Sequence, residues 1–257
     1  MAAENYLVSI FQLDEIGIRV TSTHLADQLK RLPEAEGLGT SLPSVGGMLR
    51  RLVRENLVEM SPNKDIKLTT DGRANAAKIV RRQRLAKRMV VDLLGLEPHR
   101  AHEEAHRLEH AISEELAEKI DERLGFPTTC PFGHPIPGSA FVRDKLTVPL
   151  EKVVTGTTVT IDRIPEDDGE LLQYFVANQV MPGVRAQVKD AAPYRGVVTL
   201  ITGTGNTGPG NTGTAEVVVS YEVAQRIWVT PVGVPQDPLK PPDSRPQNQG
   251  SSGQKGV

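Results

Sequence analysis

The densest concentration of chemistry in the sequence is HRAHEEAHRLEH, residues 99–110, which holds four of the six histidines of a 257-residue chain. At about 100° of rotation per residue, His102, His106, Glu109 and His110 share one helical face, with Glu103 at its edge. Two imidazoles and a carboxylate at i, i+3 and i+4 are how one helix offers three donors to a divalent transition metal; the remaining ligands must come from elsewhere in the chain. The plainer alternative is a helix whose histidines and glutamates pair with one another and with water. A third reading is catalytic: HRLEH fits H-x-x-E-H, the inverted zincin pattern, in which Glu109 is the general base of a zinc-dependent hydrolase. Such a hydrolase also needs a third protein ligand and an open cleft, and nothing later in the sequence supplies an obvious one.

The elements that position this helix follow from periodicity and punctuation. Pro98 suits its first turn. Ser113 either caps a separate short helix reaching Leu124 or lies inside one long helix ending at Gly125. Upstream, NYLVSIFQLDEIG spaces Tyr6, Leu7, Ile10, Phe11 and Leu13 as a helix that stops at Gly17, and TSTHLADQL is a second helix opening on Ser/Thr caps. After the interruption KRLPEAEGLGT, the segment SLPSVGGMLRRLVRENLVEM lines Val45, Met48, Leu49, Leu52 and Val53 along one face, with Arg50, Arg51 and Arg54 largely off it. Two short helices and a basic third are the parts of a helix-turn-helix, and LVEMSPNKDIKLT reads as a following hairpin, a wing, with Lys64 and Lys67 near its tip. TTDGRANAAKIVRRQRLAKRMVVDLLG is a long helix started by Thr70 or Asp71, stopped by Gly95 and positively charged along its middle.

CPFGHPIPGS, residues 130–139, is a Pro/Gly-rich linker, beyond which short Val- and Thr-rich segments predict a small barrel or sandwich. The GTGNTGPGNTGT loop (203–214) and the tail from about residue 233 lack apolar surface and are expected to be mobile. The net charge of −2 hides an asymmetry: residues 40–90 carry twelve Lys/Arg against four Asp/Glu, a local +8 that leaves −10 elsewhere and points to an anionic partner. One cysteine excludes an intramolecular disulfide framework. No apolar run approaches eighteen residues and no basic n-region opens the chain, so the expectation is a cytoplasmic protein without a membrane segment.

Taken in order, GLEPHRAHEEAHRLEHAISEEL, VEMSPNKDIKLTTDGR and CPFGHPIPG resemble the diphtheria-toxin-repressor and manganese-transport-regulator family over roughly residues 4–230. The resemblance implies an α+β multidomain fold: a winged helix-turn-helix DNA-binding domain (1–72), a helical metal-binding and dimerisation domain (73–139), an SH3-like β domain of ferrous-iron-transport type (140–232) and a disordered tail (233–257). It implies a homodimeric regulator of double-stranded operator DNA, a repressor of metal-uptake genes, that uses Mn(II) or Fe(II), with Zn(II) also compatible. The primary metal site falls on Asn5, His106, Glu109 and His110. His106 stands where the iron branch carries Cys and the manganese branch Glu or Asp, and Asn5 stands where those branches carry Met or Asp. The ancillary site retains His102, but its two positions on the long helix are Gln83 and Lys87, so the expectation is a site lost or rebuilt around the lysine charge. Ser41, Pro43, Ser44, Gly47, Arg50, Lys64 and Lys67 fall on the DNA-facing surface, with Gly47 replacing a side chain that reaches toward bases. Residues 98–125 and the apolar face of the long helix are the implied dimer contacts.

Overall fold

A computed structural model describes residues 2–32, 39–203 and 214–233; most of the KRLPEAEGLGT connection, residues 204–213 of the glycine-rich loop and the tail after residue 233 lie outside them. Three helices open the chain. α1 (Ala2–Glu15) buries Tyr6, Leu7, Ile10 and Leu13 and is followed by Gly17 at φ +77°, where the chain reverses. α2 (Ser22–Leu29) is capped by Thr21, which accepts from the His24 amide, and α3 (Leu42–Arg54) by Ser41, which accepts from the Ser44 amide. Leu25, Leu29, Val45, Leu49 and Leu52 meet α1 in one core. Val53 is instead 42% exposed, because Val45, Leu49 and Leu52 already form the i, i+4, i+7 line that faces inward.

β1 (Val58–Met60) and β2 (Ile66–Leu68) form the expected antiparallel hairpin. It is tied to the chain before α2 by the Ile66 amide, which donates to the Val20 carbonyl at 3.0 Å. α4 (Thr70–Arg88) starts on an earlier cap than Thr70 or Asp71: the Thr69 hydroxyl accepts from the Gly72 amide (3.0 Å) and donates to the Asn56 carbonyl (2.7 Å). Gly72 is required there, since a Cβ would lie 1.8 Å from the Leu57 carbonyl oxygen. A five-residue π-turn (Met89–Leu93) and Gly95 at φ +68° end the helix. The positive middle of α4 is partly internal: Arg84 and Lys87 are fully buried.

α5 (Pro98–Glu109) begins on its proline and carries the histidine face, and α6 (Glu114–Arg123) is a separate helix capped by Ser113. Residues 130–139 are a docked strap more than a free linker. Cys130, Phe132 and Ile136 are buried, the Phe132 carbonyl accepts from the Ile164 amide, and Gly133 at φ +85° presses so closely that a Cβ would sit 1.8 Å from the Asp162 carbonyl oxygen.

The C-terminal unit is a six-stranded antiparallel sheet ordered β3-β8-β4-β5-β6-β7. Its strands are β3 (Val148–Pro149), β4 (Thr158–Arg163), β5 (Arg185–Ala192), β6 (Val197–Thr202), β7 (Ala215–Ser220) and β8 (Trp228–Pro231). Register shifts after Ile161 and Val188 bend the sheet. Two helices not foreseen from sequence join it, α7 (Gly169–Ala177), capped by Asp168 with Leu172 and Phe175 buried, and α8 (Tyr221–Arg226). Val90 and Ala101 of the helical unit belong to the same hydrophobic core as the strands, so the β unit is packed against α5.

Candidate metal centre and nucleic-acid interface

α1 and α5 bring the sequence-separated donors together. Asn5 of α1 and His102, His106 and Glu109 of α5 line one cavity of about 40 Å³, together with Gln83 of α4 and Glu166 of the β unit. Asn5, His106 and Glu109 are each almost fully buried. His106 Nδ1 lies 3.0 Å from Glu109 Oε1, and the same oxygen lies 3.4 Å from His110 Nε2. Two donors bound to one ion at about 2.1 Å stand about 3.0 Å apart in an octahedral shell and about 3.4 Å apart in a tetrahedral one, so these spacings suit a shared cation. Glu109 Oε2 and His110 Nε2 are buried without a hydrogen bond to protein, a costly state that an ion would relieve. Among the described residues no three His, Cys, Asp or Glu side chains stand in an arrangement that could by itself hold a metal ion, so the donors are neighbours and not a formed cage.

Glu4 belongs to this site although its sequence position gave no sign of it. Its Oε2 lies 3.2 Å from His110 Nδ1, on the far side of the ring from Glu109. A carboxylate against one imidazole nitrogen fixes the ring and makes the other nitrogen the better donor. Cys130 offers no thiolate: it is buried, its thiol is pushed up to about 11 by that burial and by the nearby Glu166 carboxylate, and Sγ faces Glu166 Oε2 at 3.7 Å.

The neighbourhood of His102 is built differently. Lys87 Nζ donates to Glu166 Oε1 at 2.7 Å, with the lysine side chain wholly buried. Burial would raise the Glu166 carboxyl, but the Lys87 ammonium, with smaller help from His134 and His102, holds it well below the usual range. His102 is depressed to about 4, first by burial and then by the Lys87 ammonium, and is neutral at physiological pH. Gln83 Oε1 is already engaged by Gln12 Nε2 at 3.2 Å.

The expected DNA-facing residues are mostly exposed on α3 and the hairpin. Ser41, Pro43 and Ser44 are exposed at the start of α3, Gly47 is half-buried one turn on, and Arg50 is exposed. Lys64 is exposed at the hairpin tip, at φ +62°, and Lys67 is exposed on β2 opposite Glu59. Arg51 is drawn into an ion pair with Glu55, 2.8 Å away.

Comparison with known proteins bears on the family of the chain and not on its individual site residues. Residues 69–138 match the iron dependent repressor, metal binding and dimerisation domain, and residues 148–231 match the FeoA domain. The iron-dependent repressor IdeR of Mycobacterium leprae is 32% identical over 242 residues, covering 89% of this chain and 96% of the relative. The diphtheria toxin repressor of Corynebacterium efficiens is 38% identical over 137 residues, 53% of this chain and 56% of the relative. A solved manganese-dependent transcriptional repressor in complex with manganese is similar at a TM-score of 0.76 and 30% identity, over 90% of this chain and 100% of that one.

The chain belongs to the family of metal-dependent transcriptional repressors that includes the iron-dependent and diphtheria toxin repressors. These are regulators and not enzymes, so the hydrolase alternative built on HRLEH is left without support. No helix among the described residues is long and apolar enough to cross a membrane.

Proposed function

We propose that the chain represses transcription as a homodimer that binds double-stranded operator DNA when Mn(II) or Fe(II) is held by Asn5, His106, Glu109 and His110. The observation that carries this is the single cavity shared by Asn5 from the DNA-side helix and His106 and Glu109 from α5. A donor set of imidazole, carboxylate and amide oxygen without thiolate suits Mn(II) and Fe(II), and Zn(II) remains compatible. When bound, the ion supplies a positive charge that these donors share.

The rest is done by the chain. Asn5 rides on α1, whose Tyr6, Leu7, Ile10 and Leu13 pack in one core with Val45, Leu49 and Leu52 of α3. Drawing Asn5 toward α5 therefore sets where α3 points. On this reading residues 1–72 are a winged helix-turn-helix, with α3 entering the major groove. Ser41, Pro43, Ser44 and Gly47 present its N-terminal end to base edges and backbone, and Arg50, Lys64 and Lys67 neutralise phosphates. By linkage, the ion and the operator strengthen each other's binding by one factor. Ile79, Val80, Leu85 and Ala86 of α4 are buried within the protomer. The dimer surface then draws on the exposed Leu93, Leu94, Leu116 and Phe126 of the surrounding helical unit.

A band-shift titration of the full chain with Mn(II), Fe(II) and Zn(II) tests the proposal. Metal is expected to tighten operator binding at least 10-fold in the wild type and not in His106→Ala, with the variant's fold unchanged by circular dichroism. Retardation that ignores both metal and chelator would refute it.

A further inference from the structure

Gln83, His102 and Glu166 line one cavity with an amide, an imidazole and a carboxylate, the materials of a second cation site. Two observations argue that no metal ion is meant to sit among them. Both oxygens of Glu166 already face donors of the chain, Oε1 receiving Lys87 Nζ at 2.7 Å and Oε2 facing Cys130 Sγ at 3.7 Å. The ammonium of Lys87 is wholly buried and cannot swing into solvent without breaking that pair, so a divalent ion beside Glu166 would meet a fixed like charge.

The same stretch of the β unit is a fastening. Glu166 pairs with α4 through Lys87, and the adjacent Asp167 pairs with Arg31, just after α2, at 2.5 Å and with Arg226 of α8. Asp168 caps α7 by accepting from the Leu171 amide. Three consecutive carboxylates thus join the β unit to the dimerisation helices, to the DNA-side unit and to its own helix.

We propose that Lys87 is a permanent cation standing in for a second metal ion: the protein takes one regulatory ion per protomer, and its β unit is fastened to the helical unit whether or not metal is present. The count of one rests on the primary centre proposed above; the fastening does not.

Native mass spectrometry of the full chain with Mn(II) supplies the count. One ion per protomer is expected for the wild type, two for Lys87→Glu, which replaces the ammonium with a third anionic or neutral donor beside His102 and Glu166, and one for Lys87→Glu combined with Glu166→Gln. A wild type that binds two ions, losing one in Glu166→Gln, would overturn the proposal, as would a Lys87→Glu variant that folds and gains none. A wild type that binds no ion would instead refute the primary centre, while the gain of one ion in Lys87→Glu would still support the role of Lys87. Small-angle scattering of metal-free protein provides the second readout. The wild type is expected to be as compact without metal as with it, and Lys87→Met to be expanded in both states; a wild type that compacts only on adding metal contradicts a metal-independent fastening.

Discussion

His110 shows how much of a site can depend on a residue that spacing does not reveal. Its Nε2 turns toward Glu109, and its Nδ1 is matched by Glu4, more than a hundred positions away in sequence. Carboxylates that orient a metal-binding imidazole typically contribute 10- to 100-fold in affinity. Glu4→Gln is expected to weaken Mn(II) binding by about that factor in a calorimetric titration. Glu103→Gln removes another carboxylate near α5's donors, one that is exposed and paired with Arg107, and it should leave binding unchanged. Equal losses in the two variants would mean that only the general negative field of α5 matters. His106, Glu109 and His110 were legible because helical spacing places them on one face. Asn5 came only from family resemblance, and Glu4 from neither, since nothing local relates residue 4 to residue 110.

At the scale of elements, α3 and the hairpin divide reading from gripping. Gly46 and Gly47 leave the middle of α3 without side chains, and a Cβ on Gly46 would come within 3.6 Å of the Arg50 guanidinium. Arg50 therefore lies along a bare stretch of helix, a placement suited to a phosphate contact. Arg50→Ala is expected to weaken binding by a similar factor on operator and unrelated duplexes, and to lower the slope of log affinity against log salt by about 1. A loss confined to particular base pairs would assign Arg50 to base readout instead. The helices and hairpin of this unit were readable because caps, a glycine stop and a turn sequence each mark a boundary locally. α7 was not: GELLQYFVA is nine residues long, and its apolar side chains carry little periodic signal until a sheet covers Leu172 and Phe175.

In the whole molecule, buried charge pairs as well as apolar contacts run between the units. Arg84, fully buried on α4, binds both oxygens of Glu15 at the end of α1, at 2.9 and 2.5 Å, and also the Pro135 carbonyl of the strap. Burial alone would raise the Glu15 carboxyl, but the His134 ring 3.9 Å away and the two hydrogen bonds from Arg84 outweigh it and hold it at about 2, with Arg163 of β4 also nearby. Because that value is below the ordinary 4.5, the unfolded chain binds more protons than the folded one between those limits. The contribution of Glu15 is therefore complete above about pH 4.5 and is lost as pH falls toward 2, up to about 3 kcal/mol. Urea unfolding at a series of pH values is expected to show this loss in the wild type, and Glu15→Gln should be less stable at neutral pH with a flatter acid limb. An acid limb unchanged by the substitution would place the sensitivity elsewhere.

The sequence by itself determined the order of elements in the N-terminal and helical units, the donor-bearing face of α5, the basic block and the family, because each is written in local periodicity, capping or motif order. Tertiary structure decided which charges are internal. Arg84 and Lys87 read as part of a positively charged helix, with Lys87 at a lost or rebuilt ancillary site, but their partners Glu15 and Glu166 come from distant segments, and the Pro/Gly strap reads as a linker until Phe132 and Gly133 find the sheet. Burial is a property of what packs against a residue, and no window of neighbouring sequence contains it.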